Sequence, residues 1–312
     1  MLITDLHEKP VAGKTSVTIG TYDGVHLGHR MIIEKTCLVA RQKHLQSAVV
    51  TFEPHPQTIL HLDQKPPIKI LTTIQEKSRI LQQLGVDILA VLPFDKTMSE
   101  LDGVSFIRTI LVEKLQMKHC VIGHDHAFGK NRTGNIETLR SVGAEAHFAV
   151  EQISALKIDD KTVNSTLIRR FLLDGSVEQA NEYLGRPYSL QGVVAHGDGR
   201  GAALGLPTAN LFINQPDKLI PQDGVYVTNA VVDGRSQKSV TNIGARPTFD
   251  NGPGRHIEVH LLGFEGDLYG KTVTVQFLKF LRSEMKFENS DQLVQQIRAD
   301  IEVAVNYHFS MN

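Results

Sequence analysis

The chain has 312 residues, 41% hydrophobic and 21% charged; at roughly 150 residues per domain this is material for about two folded domains, and it excludes disorder as the main state. With 33 Lys and Arg against 34 Asp and Glu, the net charge is −1, so no overall positive field exists to gather nucleic acid or an anionic membrane surface. The 2 cysteines, Cys37 and Cys120, each sit in an apolar run, which excludes a disulfide framework or a cysteine metal site and points to a reducing cytoplasm.

The opening MLITDLHEKPVAGKT places charges where a signal peptide needs an apolar core, and no run reaches the roughly 18 apolar residues of a membrane span. The expectation is a protein neither exported by that route nor spanning a membrane. From Ser16 to Val150, β-branched runs alternate with segments of helical period. Strands are predicted at 16–20, 47–52, 87–92, 119–123 and 146–150, and helices at 30–42, 73–84 and 104–115. In the second helix Thr73 and Glu76 have capping-box spacing, and Ile74, Ile80, Leu81 and Leu84 share a face. Strand, helix, strand in series implies parallel pairing by crossovers, hence a doubly wound α/β, Rossmann-like domain.

Helical signals over 165–184 break at Asp174-Gly175, and the composition changes near Gly185-Arg186-Pro187, giving expected domains of 1–184 and 185–312. Beyond it, LQGVVAHG, GVYVTNAVV, KSVTNIG, HIEVHLLGF and TVTVQFLKFL are short strands punctuated by Gly, Asp and Pro, the pattern of a small antiparallel β-barrel. The last segment is predicted as a helix capped by Ser290, with Leu293, Ile297, Ile301, Val305 and Phe309 as its apolar stripe.

Two constellations carry chemistry. In IGTYDGVHLGHRMII a strand ends, glycines follow, and His26 and His29 stand three apart where a helix begins. The carboxyl end of a parallel strand and a helix N-terminus together favour phosphate. Gly24 and Gly28 let the backbone approach, and both imidazoles can donate to phosphate oxygens. A zinc pair completed by His55, or incidental surface histidines, are the alternatives at this point. Downstream, Ser165 and Thr166 in VNSTLIRR can cap a helix and, with Arg169, bind leaving phosphates; a capped helix with solvent-facing arginines reads equally well.

The second constellation is GVVAHGDGRGAALGLPTANLF, where Gly197, Gly199, Gly201 and Gly205 make a backbone able to wrap phosphates. Thr208 and Asn210, after Pro207, alternate with apolar neighbours, so both oxygens face one side and suit a hard cation such as Mg²⁺. Glu258 and His260 share one face of a strand; Glu258 can serve as base toward a primary hydroxyl or be an ordinary exposed residue.

These motifs, with TFEPHP, IGHDHAFGKNRTG, PQDGVY, TNIGARPTF, DLYG and LRSEMKF, resemble the prokaryotic bifunctional riboflavin kinase/FAD synthetases over nearly the whole chain. The resemblance implies an enzyme that phosphorylates riboflavin with ATP in the barrel and adenylylates FMN to FAD plus pyrophosphate in the α/β half. It implies small-molecule partners and no nucleic acid or membrane. By the same resemblance, His26, His29 and Arg169 handle the ATP phosphates, in a nucleotide site with Gly20, Tyr22, Asp23, Gly24, Gly28, Asp125, Phe128, Ser165 and Thr166. Thr208 and Asn210 hold Mg²⁺, Glu258 is the base, and Gly199, Arg200, Gly205, Pro207 and Arg282 line the kinase site, with Phe287 beside the flavin. Departures from the family pattern are His126 in place of an aromatic residue, Tyr22 in place of Phe, and Ala202 in place of a basic flap residue, for which Arg200 is the available substitute. The last leaves open a chain that makes only FAD, its barrel reduced to flavin binding; a noncatalytic flavin or nucleotide sensor is a separate alternative.

Overall fold

The computed structural model describes residues 1–6, 10–60, 67–196, 205–245 and 255–308, in two compact units, Met1–Ser165 and Thr166–Asn312. The first contains β1 (Leu2–Thr4), β2 (Thr15–Ile19), α1 (Leu27–Gln42), β3 (Gln46–Glu53), α2 (Pro56–Ile59), α3 (Ile74–Gln83) and β4 (Ile88–Pro93). It continues with α4 (Lys96–Glu100), α5 (Gly103–Phe106), which runs on as a π-helix over Ile107–Lys114, β5 (Met117–Gly123), α6 (Ile136–Ala146) and β6 (Ala149–Ile153).

The six strands form one parallel sheet in the order β1-β4-β3-β2-β5-β6. The chain steps from β2 outward to β3 and β4, then returns to place β5 on the other side of β2. The carboxyl ends of β2 and β5 therefore flank the switch point, where open α/β sheets bind ligands. Both sheet faces are covered, so β2 is buried at all five positions rather than alternating. Val17, Ile19, Ala48 and Val50 pack with Phe106, Ile107, Leu111 and Leu139 on one face, and Val49 and Leu89 with Ile33, Cys37 and Leu81 on the other.

Several expectations are corrected here. The capping box of Thr73 and Glu76 is present, but the strand expected at 146–150 begins at Ala149, because α6 extends to Ala146 and His147 closes it in the left-handed conformation (φ 55°). The third helix starts at Gly103 under an Asp102 cap. The edge strand β1 is too short, at three residues, to show a period. Asp159 and Asp160, both at positive φ, turn a hairpin of β7 (Lys157–Ile158) and β8 (Lys161–Thr162) with two residues in each strand.

The second unit opens with α7 (Ser165–Leu173), which straddles the division, and α8 (Val177–Leu184), separated by Gly175 at φ 77°. The side chain of Asn181, 2% exposed, donates to Phe277 O and accepts from Tyr188 N, fastening α8 to the barrel. The barrel strands are β9 (Tyr188–Ala195), β10 (Ala209–Phe212), β11 (Gly224–Val232), β12 (Arg235–Ala245), β13 (Arg255–Leu261) and β14 (Thr272–Arg282). They close antiparallel in the order β10-β13-β12-β11-β14-β9. Alternation sends Ile257, Val259 and Leu261 inward, and likewise Tyr226, Thr228 and Ala230; Thr228 shares hydroxyl hydrogen bonds of 2.8 Å with Ser239 and Thr241.

The C-terminal helix α9 (Ser290–Asn306) lies on the outer face of β11 and β12, over Val225, Val227 and Val240. Its cap is Asn289, whose side chain accepts from Gln292 N, one residue before the expected Ser290. The packed face is Ile301, Ala304 and Tyr307, while Val305 is 51% exposed. A strict four-residue stripe drifts about 40° per step around a helix of 3.6 residues per turn, so its far end leaves the buried side; Phe309 lies outside the described residues.

Candidate active sites

At the end of β2 the chain makes a tight loop with Tyr22 (φ 45°), Gly24 (φ 86°) and Val25 (φ 39°) all in the left-handed region. For a fully buried β-branched valine this is strained backbone, held because its surroundings over-determine it. Asp23, 2% exposed, supplies much of that hold: its carboxylate accepts from the backbone of Leu71 at 2.9 and 3.0 Å and of Thr72 at 3.0 Å. The Thr72 hydroxyl accepts from Gly24 N at 3.0 Å. Tyr22 points inward beneath the loop, its hydroxyl bonded to Thr18 and Ile19, and burial raises its pKa. A Cβ on Gly20 would come within 3.0 Å of that ring. Tyr22 and Asp23, expected among the ligand contacts, thus build the loop from within.

The loop delivers His26 to the N-cap of α1, where Nδ1 accepts from His29 N at 3.2 Å. An accepting Nδ1 carries no proton, so Nε2 is the protonated nitrogen. The His26 and His29 rings stack with centroids 3.5 Å apart, and His29 meets Tyr22 edge-on at 5.1 Å. A Cβ at Gly28 would lie 3.4 Å from the His26 ring and 3.6 Å from Val163 O, both ordinary contact distances. His55 is occupied as the cap of α2, accepting from Gln57 N, and among the described residues no three His, Cys, Asp or Glu could hold a metal ion.

Across the switch point, β5 ends at Gly123, and Asp125 follows with its side chain 83% exposed and Oδ1 3.5 Å from His124 Nδ1. Burial lowers the His126 pKa to about 4, keeping the ring neutral, and among the described residues its Nε2 has no hydrogen-bond partner. Phe128 is 9% exposed and packs on Phe106 at 5.5 Å. Ser165 Oγ donates to Asp23 O at 2.9 Å, tying the start of α7 to the histidine loop. Thr166 is exposed and Arg169 partly buried, both in the second compact unit.

On the barrel, Asn210 lies on the outward face of β10, in phase with Glu258 of β13, and Thr208, partly buried, precedes the strand. Asn210 is the register partner of Glu258 on one side and Asn242 on the other, which sets three polar side chains in a row across β10, β13 and β12. Asn210 Oδ1 is buried and, among the described residues, has no hydrogen-bond partner, a costly state for an acceptor that a bound cation could relieve. Pro207 O is 2.7 Å from His260 Nδ1, and Gly205 turns at φ 73°. Gly199, Arg200 and Ala202 lie outside the described residues. Arg282, expected beside the flavin, binds Asp300 of α9 with hydrogen bonds of 2.7 to 3.2 Å, its guanidinium 5.9 Å from the Phe287 ring.

The sequence reading passed over Lys77. It is 4% exposed, and its ammonium donates to Thr21 O at 2.6 Å and Thr51 Oγ1 at 2.9 Å, bracing the histidine loop from α3. Burial lowers its pKa to about 8 against the opposing pull of Asp23 and Glu53. The signal was present: Ile74, Lys77, Leu81 and Leu84 follow helical spacing, so the lysine occupies a core-facing position.

The FAD synthetase family model matches residues 8–167, and the riboflavin kinase model matches residues 184–308. The bifunctional riboflavin kinase/FMN adenylyltransferase of Listeria monocytogenes is 37% identical, covering 91% of this chain and 89% of its own. Its counterpart in Bacillus subtilis is 36% identical, covering 96% of this chain and 94% of its own. A crystal structure described as a macrolide-efflux protein from Streptococcus pneumoniae superposes with a TM-score of 0.90 at 30% identity, covering 99% of this chain and 100% of that one. Among the described residues no helix is long and apolar enough to cross a membrane. With both family models matched in order and relatives alike over nearly full length, the chain belongs to the bifunctional riboflavin kinase/FMN adenylyltransferases.

Proposed function

We propose how this chain divides and performs the two activities of its family: riboflavin plus ATP to FMN plus ADP, and FMN plus ATP to FAD plus pyrophosphate. Residues 1–184 are assigned the adenylyl transfer and residues 185–312 the phosphorylation. In the first, a phosphate oxygen of FMN attacks the α-phosphorus of ATP, the bond to the pyrophosphate oxygen breaks, and no protein nucleophile takes part. Catalysis is then placement and charge stabilisation. His26 and His29 donate to the phosphates at the positive end of α1, with Gly20, Gly24 and Gly28 giving the backbone access. Tyr22, Asp23 and Phe128 act by shaping the loops, Ser165 holds the histidine loop through Asp23 O, and Asp125 meets the nucleotide or flavin phosphate.

In the barrel, Glu258 removes the proton of the riboflavin 5′-hydroxyl as that oxygen attacks the γ-phosphorus. The orphaned Asn210 Oδ1 and the hydroxyl of Thr208 fit Mg²⁺, which when bound offsets the charge of the nucleotide phosphates. Gly205 and Pro207 contribute to the phosphate site, Gly199 and Arg200 are assigned to it by sequence, and Arg282 supports the flavin side through its pairing with α9. The buried free thiols Cys37 and Cys120 support a cytoplasmic setting.

The observation that carries this reading is the presence of two unlike constellations in two compact units, imidazoles at a helix start and a carboxylate beside an orphaned amide oxygen. Purified protein with riboflavin, ATP and Mg²⁺ should yield both FMN and FAD on chromatography. His29→Ala should abolish FAD formation and spare FMN; Glu258→Gln should do the reverse when FMN is supplied for the second step. Ala202 favours one second reading, a chain forming FAD only from supplied FMN. Loss of both steps by either substitution in a folded protein would contradict the division into two sites.

A further inference from the structure

His256 and Glu258 stand two apart on the outward face of β13, and His256 Nε2 lies 2.7 Å from Glu258 Oε1. An ionised carboxylate only accepts, so Nε2 carries the proton and donates it. The side chains are 25% and 38% exposed, and a polar contact this open adds little stability; its consequence is geometric. The backbone beneath is clamped on both sides, by Asn210 of β10 and Asn242 of β12 opposite Glu258. Asn242 turns its amide to Glu284 at 3.3 Å. Among the described residues, the imidazole is therefore the side chain that fixes the plane of the Glu258 carboxylate, whose terminal torsion is otherwise soft.

We propose that His256 is a positioning residue for the kinase step, its Nε2–H anchoring Oε1 of Glu258 so that Oε2 is presented to the riboflavin 5′-hydroxyl. This rests on the reading of Glu258 as base. In the step, the O5′–Pγ bond forms, the bond from Pγ to the bridging oxygen breaks and ADP leaves, and the hydroxyl proton passes to Glu258 Oε2. His256 gives up no proton; it removes the rotation that would take Oε2 out of line. Misplacement of a reacting group by an ångström costs up to about 100-fold in rate.

The test uses the full chain and three substitutions. His256→Phe keeps a ring on the strand without a donor, His256→Gln restores an N–H donor, and Glu258→Gln removes the base. Each is assayed for kcat and KM of FMN formation, with FAD formation from supplied FMN as the control for folding. Glu258→Gln should lose on the order of 100-fold or more in kcat. His256→Phe should lose roughly tenfold in kcat with KM for riboflavin and ATP held within about twofold, and His256→Gln should recover most of that loss. Full kcat in His256→Phe alongside an inactive Glu258→Gln overturns the positioning role and leaves the base in place. A loss in His256→Phe that His256→Gln does not repair, or one confined to KM, also overturns it. Full activity in Glu258→Gln overturns the base reading itself, and this inference with it.

Discussion

Replacing Lys77 by Met tests how the histidine loop is held. An unfolded chain keeps the lysine proton up to about 10.5, whereas the folded chain releases it near 8 because the ammonium is buried. Between those values the unfolded state binds more protons, so stability contributed through this group rises with pH. At pH 7 the buried charge costs the folded state about 3 kcal/mol relative to a neutral amine, at 1.36 kcal/mol per pKa unit. By pH 9.5 that cost falls to roughly 1 kcal/mol, so wild type should gain about 2 kcal/mol on Lys77→Met between the two conditions. Comparing wild type with variant cancels Tyr22 and Cys120, whose pKa values burial raises and which act in the opposite sense at high pH. The chain has no tryptophan, so urea unfolding is followed by circular dichroism. A stability difference that stays flat from pH 7 to 9.5 would refute the account of Lys77 as a desolvated ammonium. In the same variant Thr21 O loses its 2.6 Å donor, and kcat for FAD formation should fall while FMN formation holds.

Asn210→Leu fills the place of the orphaned oxygen with carbon, and the Mg²⁺ concentration giving half-maximal FMN formation should rise on the order of tenfold, equivalent to about 1.4 kcal/mol, with FAD formation unaffected. Arg282→Met leaves Asp300, 5% exposed, without its guanidinium partner and should cost the barrel unit about 3 kcal/mol in urea unfolding; pairing it with Asp300→Leu should return most of that loss, because the penalty is the stranded charge.

Both candidate sites were legible in the sequence wherever chemistry depends on neighbours along the chain. His26 and His29 lie one turn apart because the helix begins between them, and Asn210 and Glu258 face outward because strands alternate. The switch point followed from strand and helix order. Side chains whose partners are distant in sequence make structural contacts that the sequence did not show. Asp23 reads as a ligand residue until residues 48 and 49 positions later bring their backbone amides to it. Arg282 reads as a flavin contact until α9 supplies Asp300, 18 residues on.

The sequence by itself determined the two fold classes, their order, and the residue types gathered at each site, because periodicity and turn chemistry are local and every step of the chain repeats them. Tertiary structure alone decided which polar groups turn inward to hold a loop, that Lys77 braces the histidines, and that His256 reaches Glu258 rather than solvent. Those outcomes depend on desolvation and hydrogen-bond partners, which arise only when separated segments pack together.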